Sequence, residues 1–155
     1  MFKKIIDSAV LVSDLTAHDK DAVLGEMVDA MVAAGAVEKK FRTAIVRKLR
    51  EREAQGSTGL GNGVAVPHVK EASVGQLVMG VGIASAGIPF DAIDGEPVSV
   101  LFLVLGPRGG PPEDHLRVLR WVSGLARNAD FRRFARNIKN PTELLDLLHE
   151  MTEAV

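Results

Sequence analysis

No cysteine occurs in the 155 residues, which excludes disulfides, thiol nucleophiles and cysteine-ligated metals together. The cytoplasm is the expected compartment for such a chain. An excess of charge of one sign is equally missing. Nineteen Lys and Arg face twenty Asp and Glu, a formal net charge of −1, so the broad basic surface on which nucleic-acid binding usually draws is not there. No nucleic-acid partner is expected. Long apolar runs are scarce as well: the longest, Val98 to Leu105, contains Ser99 and has the length of a strand, so no membrane insertion is expected. Near the N-terminus Asp7 follows directly on Ile5 and Ile6, which leaves no apolar core for a signal peptide. Neither a linker nor an internal repeat is visible. What remains is ordinary globular usage, 46% hydrophobic and 25% charged. A chain of this length buries roughly 70% of the surface its unfolded form exposes, and one domain over residues 1–155 is expected.

Helical spacing organises the first third. Val23, Leu24, Met27, Val28, Met31 and Val32 recur with that period between Leu15 and Gly35, after a Thr16-Ala17-His18-Asp19 run that can cap the helix, and Gly35 can end it. A second helix is expected from about Lys39 to Gln55, with Phe41, Ile45 and Leu49 on its apolar stripe. The stretch Gly56 to Gly63 is too rich in glycine for a helix and is expected as a shaped loop feeding a short strand, Val64-Ala65-Val66-Pro67-His68. Leu77–Ala84 and Val98–Leu105 read as buried strands. After Gly106-Pro107-Arg108-Gly109-Gly110-Pro111-Pro112, helical spacing returns from about Glu113 to Arg127, and two shorter helices are expected near 130–137 and 141–151. Helices, then strands, then helices imply one layered α/β domain with a mixed β-sheet flanked by helices.

One segment carries most of the chemistry. From Arg52 to His68 the chain brings together an arginine, two hydroxyls, a run of glycines and a histidine. Gly59, Gly61 and Gly63 would let backbone N–H groups approach an anion with no Cβ in the way, and Ser57 and Thr58 could add donors, which makes these five the candidate phosphate-binding residues. Arg52 offers a planar charged fork suited to phosphate oxygens, and a neutral imidazole such as that of His68 is a nucleophile near neutral pH. A Walker loop fails here because Asn62 and Gly63 stand where Lys and Ser or Thr belong, and a dinucleotide fingerprint fails because Val64 occupies its last small position. On the residues alone, a structural glycine turn beside an incidental histidine stands level with an anion site.

The run Arg52-Glu53 with Gly56-Ser57-Thr58-Gly59-Leu60-Gly61-Asn62-Gly63-Val64-Ala65-Val66-Pro67-His68 resembles the active-site signature of the fructose/mannitol enzyme IIA domains of the bacterial sugar phosphotransferase system. It also resembles their nitrogen-regulatory relatives. The likeness continues through Pro89–Val98 and through His115-Leu116 at the opening of the later helix, so it spans nearly the whole chain. The resemblance implies a mixed sheet flanked by helices, His68 as the histidine phosphorylated on Nε2, Arg52 as the active-site arginine and His115 as a second histidine facing the first. It further implies an HPr-like phosphocarrier protein, or its nitrogen-branch counterpart, as donor, and an enzyme IIB domain or a regulated target protein as the next partner. No cofactor is implied, neither nucleotide nor metal. Where the family usually has glycine after the phosphorylated histidine, this chain has Val69. Read as a stand-alone domain, the chain leans towards the nitrogen-regulatory type. A non-phosphorylated interaction module keeping the fold is the alternative.

The remaining candidates read as structural. His115 lies three and four residues before Val118 and Leu119, which puts it on an inward face, where a packed or capping histidine is the better reading of the residues alone and the resemblance favours the site. Lys70 reads as a solvated residue, His18 and His149 as surface or packing histidines, and Asp91 and Asp94 as parts of a structural turn.

Overall fold

The computed structural model describes residues 2–154, with side chains through residue 152. Helix α1 (Phe2–Asp7) and strand β1 (Val10–Val12) precede α2 (Lys20–Ala33), a 3-10 turn (Lys39–Phe41) and α3 (Arg42–Ala54). Strands β2 (Gly59–Gly61), β3 (Val64–Ala65), β4 (His68–Lys70), β5 (Val78–Ile88) and β6 (Val98–Gly106) follow, then α4 (Pro112–Arg127), α5 (Ala129–Ala135) and α6 (Pro141–Ala154). The sheet is mixed, ordered β1-β5-β6-β3-β2, with β4 also paired to β6. Strands β5 and β6 run antiparallel at its centre, while β1 joins β5, and β3 and β4 join β6, in parallel.

Strand β6 is nearly continuous in apolar residues because both of its faces are covered. Val100, Phe102 and Val104 turn towards Ile6, Val118, Trp121, Phe131 and Leu144 of the terminal helices. Leu103 and Leu105 alternate to the other side, where Leu24, Met27, Ile45 and Leu49 of α2 and α3 pack. The result is a sheet between two helical layers, each shielding one set of side chains from water. Trp121 is buried at the edge of the first layer, stacked on Phe2 at 5.5 Å and edge-on to Phe102 at 5.7 Å.

Three local expectations change. Asp19, not Thr16, caps α2, its side chain accepting from the Ala22 N–H at 2.8 Å, and Thr16 instead gives its N–H to Glu26. The short elements α1 and β1 were not expected. The glycine-rich stretch is partly strand: Asn62 and Gly63 both have positive φ, 58° and 78°, and close a two-residue turn that pairs Gly61 with Val64. An Asn-Gly pair is the usual residue choice for that turn, because its backbone twist matches the strands it joins.

Candidate functional site

Pro67 interrupts the line of pairing that β3 and β4 share along β6. The Val66 N–H goes back to the Thr58 carbonyl at 3.1 Å, and the Pro67 carbonyl accepts from the Val104 N–H at 2.9 Å. The Val66 carbonyl takes a side chain, since Nδ1 of His68 lies 2.7 Å from it. A carbonyl can only accept, so Nδ1 carries the proton and the lone pair of the neutral ring sits on Nε2. His68 begins β4, opposite Val104 in the register with β6, and is half-buried.

Beyond Gly106 the chain loops into α4, and His115 falls in the first turn of that helix. The His115 and His68 rings meet at a centroid distance of 5.4 Å with their planes tilted by 55°. Nδ1 of His115 is buried and has no hydrogen-bond partner. A buried N–H without an acceptor is costlier than an unpaired lone pair, so the proton of the neutral ring belongs on Nε2. Burial, then the neighbouring His68, then Lys70 hold the His115 pKa below the ordinary 6.5, and a helix N-terminus disfavours the imidazolium in the same sense.

Arg52, in the last turn of α3, and His68 line one shallow depression together with Lys48, Lys70 and Arg108. Nη1 of Arg52 donates to the Gly56 carbonyl at 2.7 Å, which fixes the guanidinium at the mouth of the following turn. Lys48, one helical turn before Arg52, is tied to the buried Glu71 at 2.5 Å, and that contact holds the Glu71 carboxyl below the usual carboxylate range. Lys70 is exposed, as expected, and because strand side chains alternate it shares the His68 side of β4, at the rim of the depression. A lysine two residues from the histidine on a strand was the available signal. Lys48 was legible as the i−4 neighbour of Arg52, whereas nothing in the sequence pointed to Arg108.

The five loop residues are placed differently. The Ser57 hydroxyl donates to the Phe90 carbonyl at 2.7 Å and accepts from the Gly59 N–H at 3.0 Å. The Thr58 N–H and hydroxyl are both engaged by the Glu53 carboxylate. Gly61 backs on Asp94 and Gly63 on Ser99, and none of Ser57, Thr58, Gly59, Gly61 or Gly63 lines the depression of Arg52 and His68. Their donors and their missing side chains build the turn and the hairpin that carry the histidine. Asp94 accepts from the Asn62 and Glu96 N–H groups, the structural part expected of it, and these bonds lower its pKa. His149 reaches Asp7 at 2.7 Å, joining α6 to α1.

Two histidines in ring contact thus lie on a layered α/β domain, one of them in a depression shared with Arg52, Lys48, Lys70, Arg108 and Glu51. The family described as "Phosphoenolpyruvate-dependent sugar phosphotransferase system, EIIA 2" matches residues 4–151, and the chain belongs to that family. The fructose-specific EIIA component of the phosphotransferase system of Haloferax volcanii is 33% identical over 134 residues, covering 86% of this chain and 85% of that protein. The nitrogen regulatory protein of Pseudomonas aeruginosa is 37% identical over 107 residues, 69% of this chain and 68% of its own length. The crystal structure of the nitrogen regulatory protein IIA-Ntr from Neisseria meningitidis superposes with a TM-score of 0.83 at 28% identity, covering 95% of this chain and 98% of that one. Among the described residues no helix is long and apolar enough to cross a membrane.

Proposed function

We propose that this chain is a phosphocarrier that accepts a phosphoryl group on Nε2 of His68 from a phosphorylated HPr-like protein or its nitrogen-branch counterpart. It then hands the group to an enzyme IIB domain or uses it as a signal to a regulated target. The observation that carries the reading is the bond from Nδ1 of His68 to the Val66 carbonyl, which leaves Nε2 as the nucleophile. In the transfer the Nε2 lone pair forms the new P–N bond while the donor's P–N bond breaks and returns its electron pair to the donor nitrogen. The proton on Nδ1 stays in place, and the positive charge that develops on the ring is stabilised by the carbonyl it already faces. One P–N bond replaces another, so the work left to the protein is positioning and charge stabilisation, supplied by Arg52, Lys70 and the neutral N–H of His115.

Support for a carrier of this kind comes from the family and from relatives on both the sugar and the nitrogen-regulatory side. Incubation with phosphoenolpyruvate, enzyme I and the cognate carrier should add one acid-labile phosphoryl group, read by mass, and His68→Ala should abolish it. A phosphoryl group retained by His68→Ala would remove the assignment. No phosphorylation of the unaltered protein by either branch's donor would favour the non-phosphorylated module.

A further inference from the structure

Glu53 is 7% exposed and touches neither His68 nor the depression in front of it, yet its carboxylate has four polar contacts. Both of its oxygens lie 3.2 Å from the Thr58 N–H, one also accepts from the Thr58 hydroxyl, and the other pairs with Lys20 of α2 at 3.1 Å. Lys20 is itself held over the Phe90 ring at 4.8 Å. Buried charge of this kind persists only where its partners are fixed.

Two lines of contact run from this carboxylate to the site. Along the first, the Gly56 N–H bonds to the Glu53 carbonyl at 3.2 Å, and Glu53 closes the turn from its far side by gripping Thr58. The carbonyl of that clamped Gly56, at φ 152°, is the one that receives Arg52. Along the second, Thr58 offers its carbonyl to the Val66 N–H at 3.1 Å, and Val66 offers its own carbonyl to Nδ1 of His68. We infer that Glu53 is the positioning residue of the site: through Thr58 it sets both the orientation of the Arg52 guanidinium and the Nδ1–H tautomer of His68. A neutral amide cannot replace it fully, because one end of a glutamine amide is an NH2 donor, which would face either the Thr58 donors or the Lys20 ammonium, and it brings no charge for Lys20.

The kinetic half of the test rests on the proposed phosphocarrier reading, and the spectroscopic half does not. In 15N NMR of the imidazoles, the unaltered protein should show His68 with a protonated Nδ1 and a bare Nε2, and Glu53→Gln should show a mixture of tautomers. An unchanged His68 tautomer in Glu53→Gln overturns the second line of contact, whether or not the protein is phosphorylated. For the first line, Glu53→Gln should slow the maximal rate of phosphorylation roughly tenfold or more at unchanged half-saturation by the donor, the size expected when a reacting group is misplaced. The slowing should largely disappear in an Arg52→Lys background, because the two residues act through one another. Additive losses overturn that half, as does equal slowing in Phe131→Leu, a buried change remote from the site that controls for lost stability. Glu53→Gln/Lys20→Met removes the ammonium that Glu53→Gln leaves with only Asp91, at 3.7 Å, as a carboxylate partner, so the same readings are taken in it where Glu53→Gln folds poorly. Recovery of the full rate and of the Nδ1–H tautomer in that double variant would mean that charge balance alone matters, and would overturn the inference.

Discussion

A Cβ placed on Gly106 would stand 2.8 Å from Nδ1 of His115, closer than a side chain can approach. The last residue of β6 therefore has to be glycine for the ring of α4 to rest on the strand end, and that position is also where Lys70 of β4 pairs. Two features of the site, the His115 ring and Lys70, meet at one residue without a side chain.

Gly106→Ala is expected to push the His115 ring away from the sheet and break its contact with His68. Overpacking of this sort costs about 1 to 3 kcal/mol. NOEs between the two rings in the unaltered protein and their loss in the variant, with a lowered denaturation midpoint, check it. Intact NOEs at unchanged stability would mean that the loop after β6 absorbs the methyl group.

The depressed pKa of His115 has a consequence for stability. The unfolded chain takes up a proton on this residue as the pH falls through about 6.5, while the folded protein resists it until the lower folded value is reached. Stability from this group is thus complete above the unfolded pKa and is lost as the pH falls through the folded one. Denaturant titrations at about pH 7.5 and about pH 5 should show a smaller acid loss for His115→Gln than for the unaltered protein. Identical pH dependence in the two would place His115 in an environment as wet as the unfolded chain.

Arg52→Lys keeps a positive charge but gives up the planar fork, so phosphoryl transfer to His68 is expected to slow by about ten- to a hundredfold. The fold should lose about 1 kcal/mol or less, the worth of the bond to the Gly56 carbonyl. Stopped or quenched transfer assays with both proteins decide it, and equal rates would reduce Arg52 to a cap of its own helix turn.

Val69 follows the histidine where the signature this chain resembles usually has glycine, and its side chain packs with the cluster of Leu24, Ile45, Leu49 and Leu103. It points to the face of the sheet opposite His68 and Lys70, as alternation along β4 requires. Val69→Gly should therefore cost about 1 to 2 kcal/mol, from lost apolar burial and added backbone freedom. Urea unfolding at constant slope measures it, and no change in midpoint would mean that the valine contributes no packing.

Much of this molecule was readable in the order of its residues. The helices α2 to α6 and the two central strands announced themselves because a buried stripe or a doubly buried run leaves a period of apolar residues, and the spacing to Val118 and Leu119 turned His115 inward. The elements that escaped, α1 and β1, have six and three residues, too few to repeat any period. The hairpin at Asn62-Gly63 had its turn signal in plain view, but strands of three and two residues rich in glycine carry no alternation to accompany it.

The sequence by itself determined which groups are available: one histidine after a proline at the end of a glycine-rich run, an arginine sixteen residues before it, and a second histidine at the head of a later helix. Only the tertiary structure decided what each group does. Ser57 could have faced an anion and instead faces the Phe90 carbonyl, 33 positions along the chain, and Lys48 could have been solvated but is bound to Glu71, 23 positions away. Such partners are chosen by the register of β4 on β6 and by the layer in which α3 packs. A short-range pattern carries no record of either, because the contacts that fix them are made between segments distant in sequence and become favourable only once the whole sheet has closed.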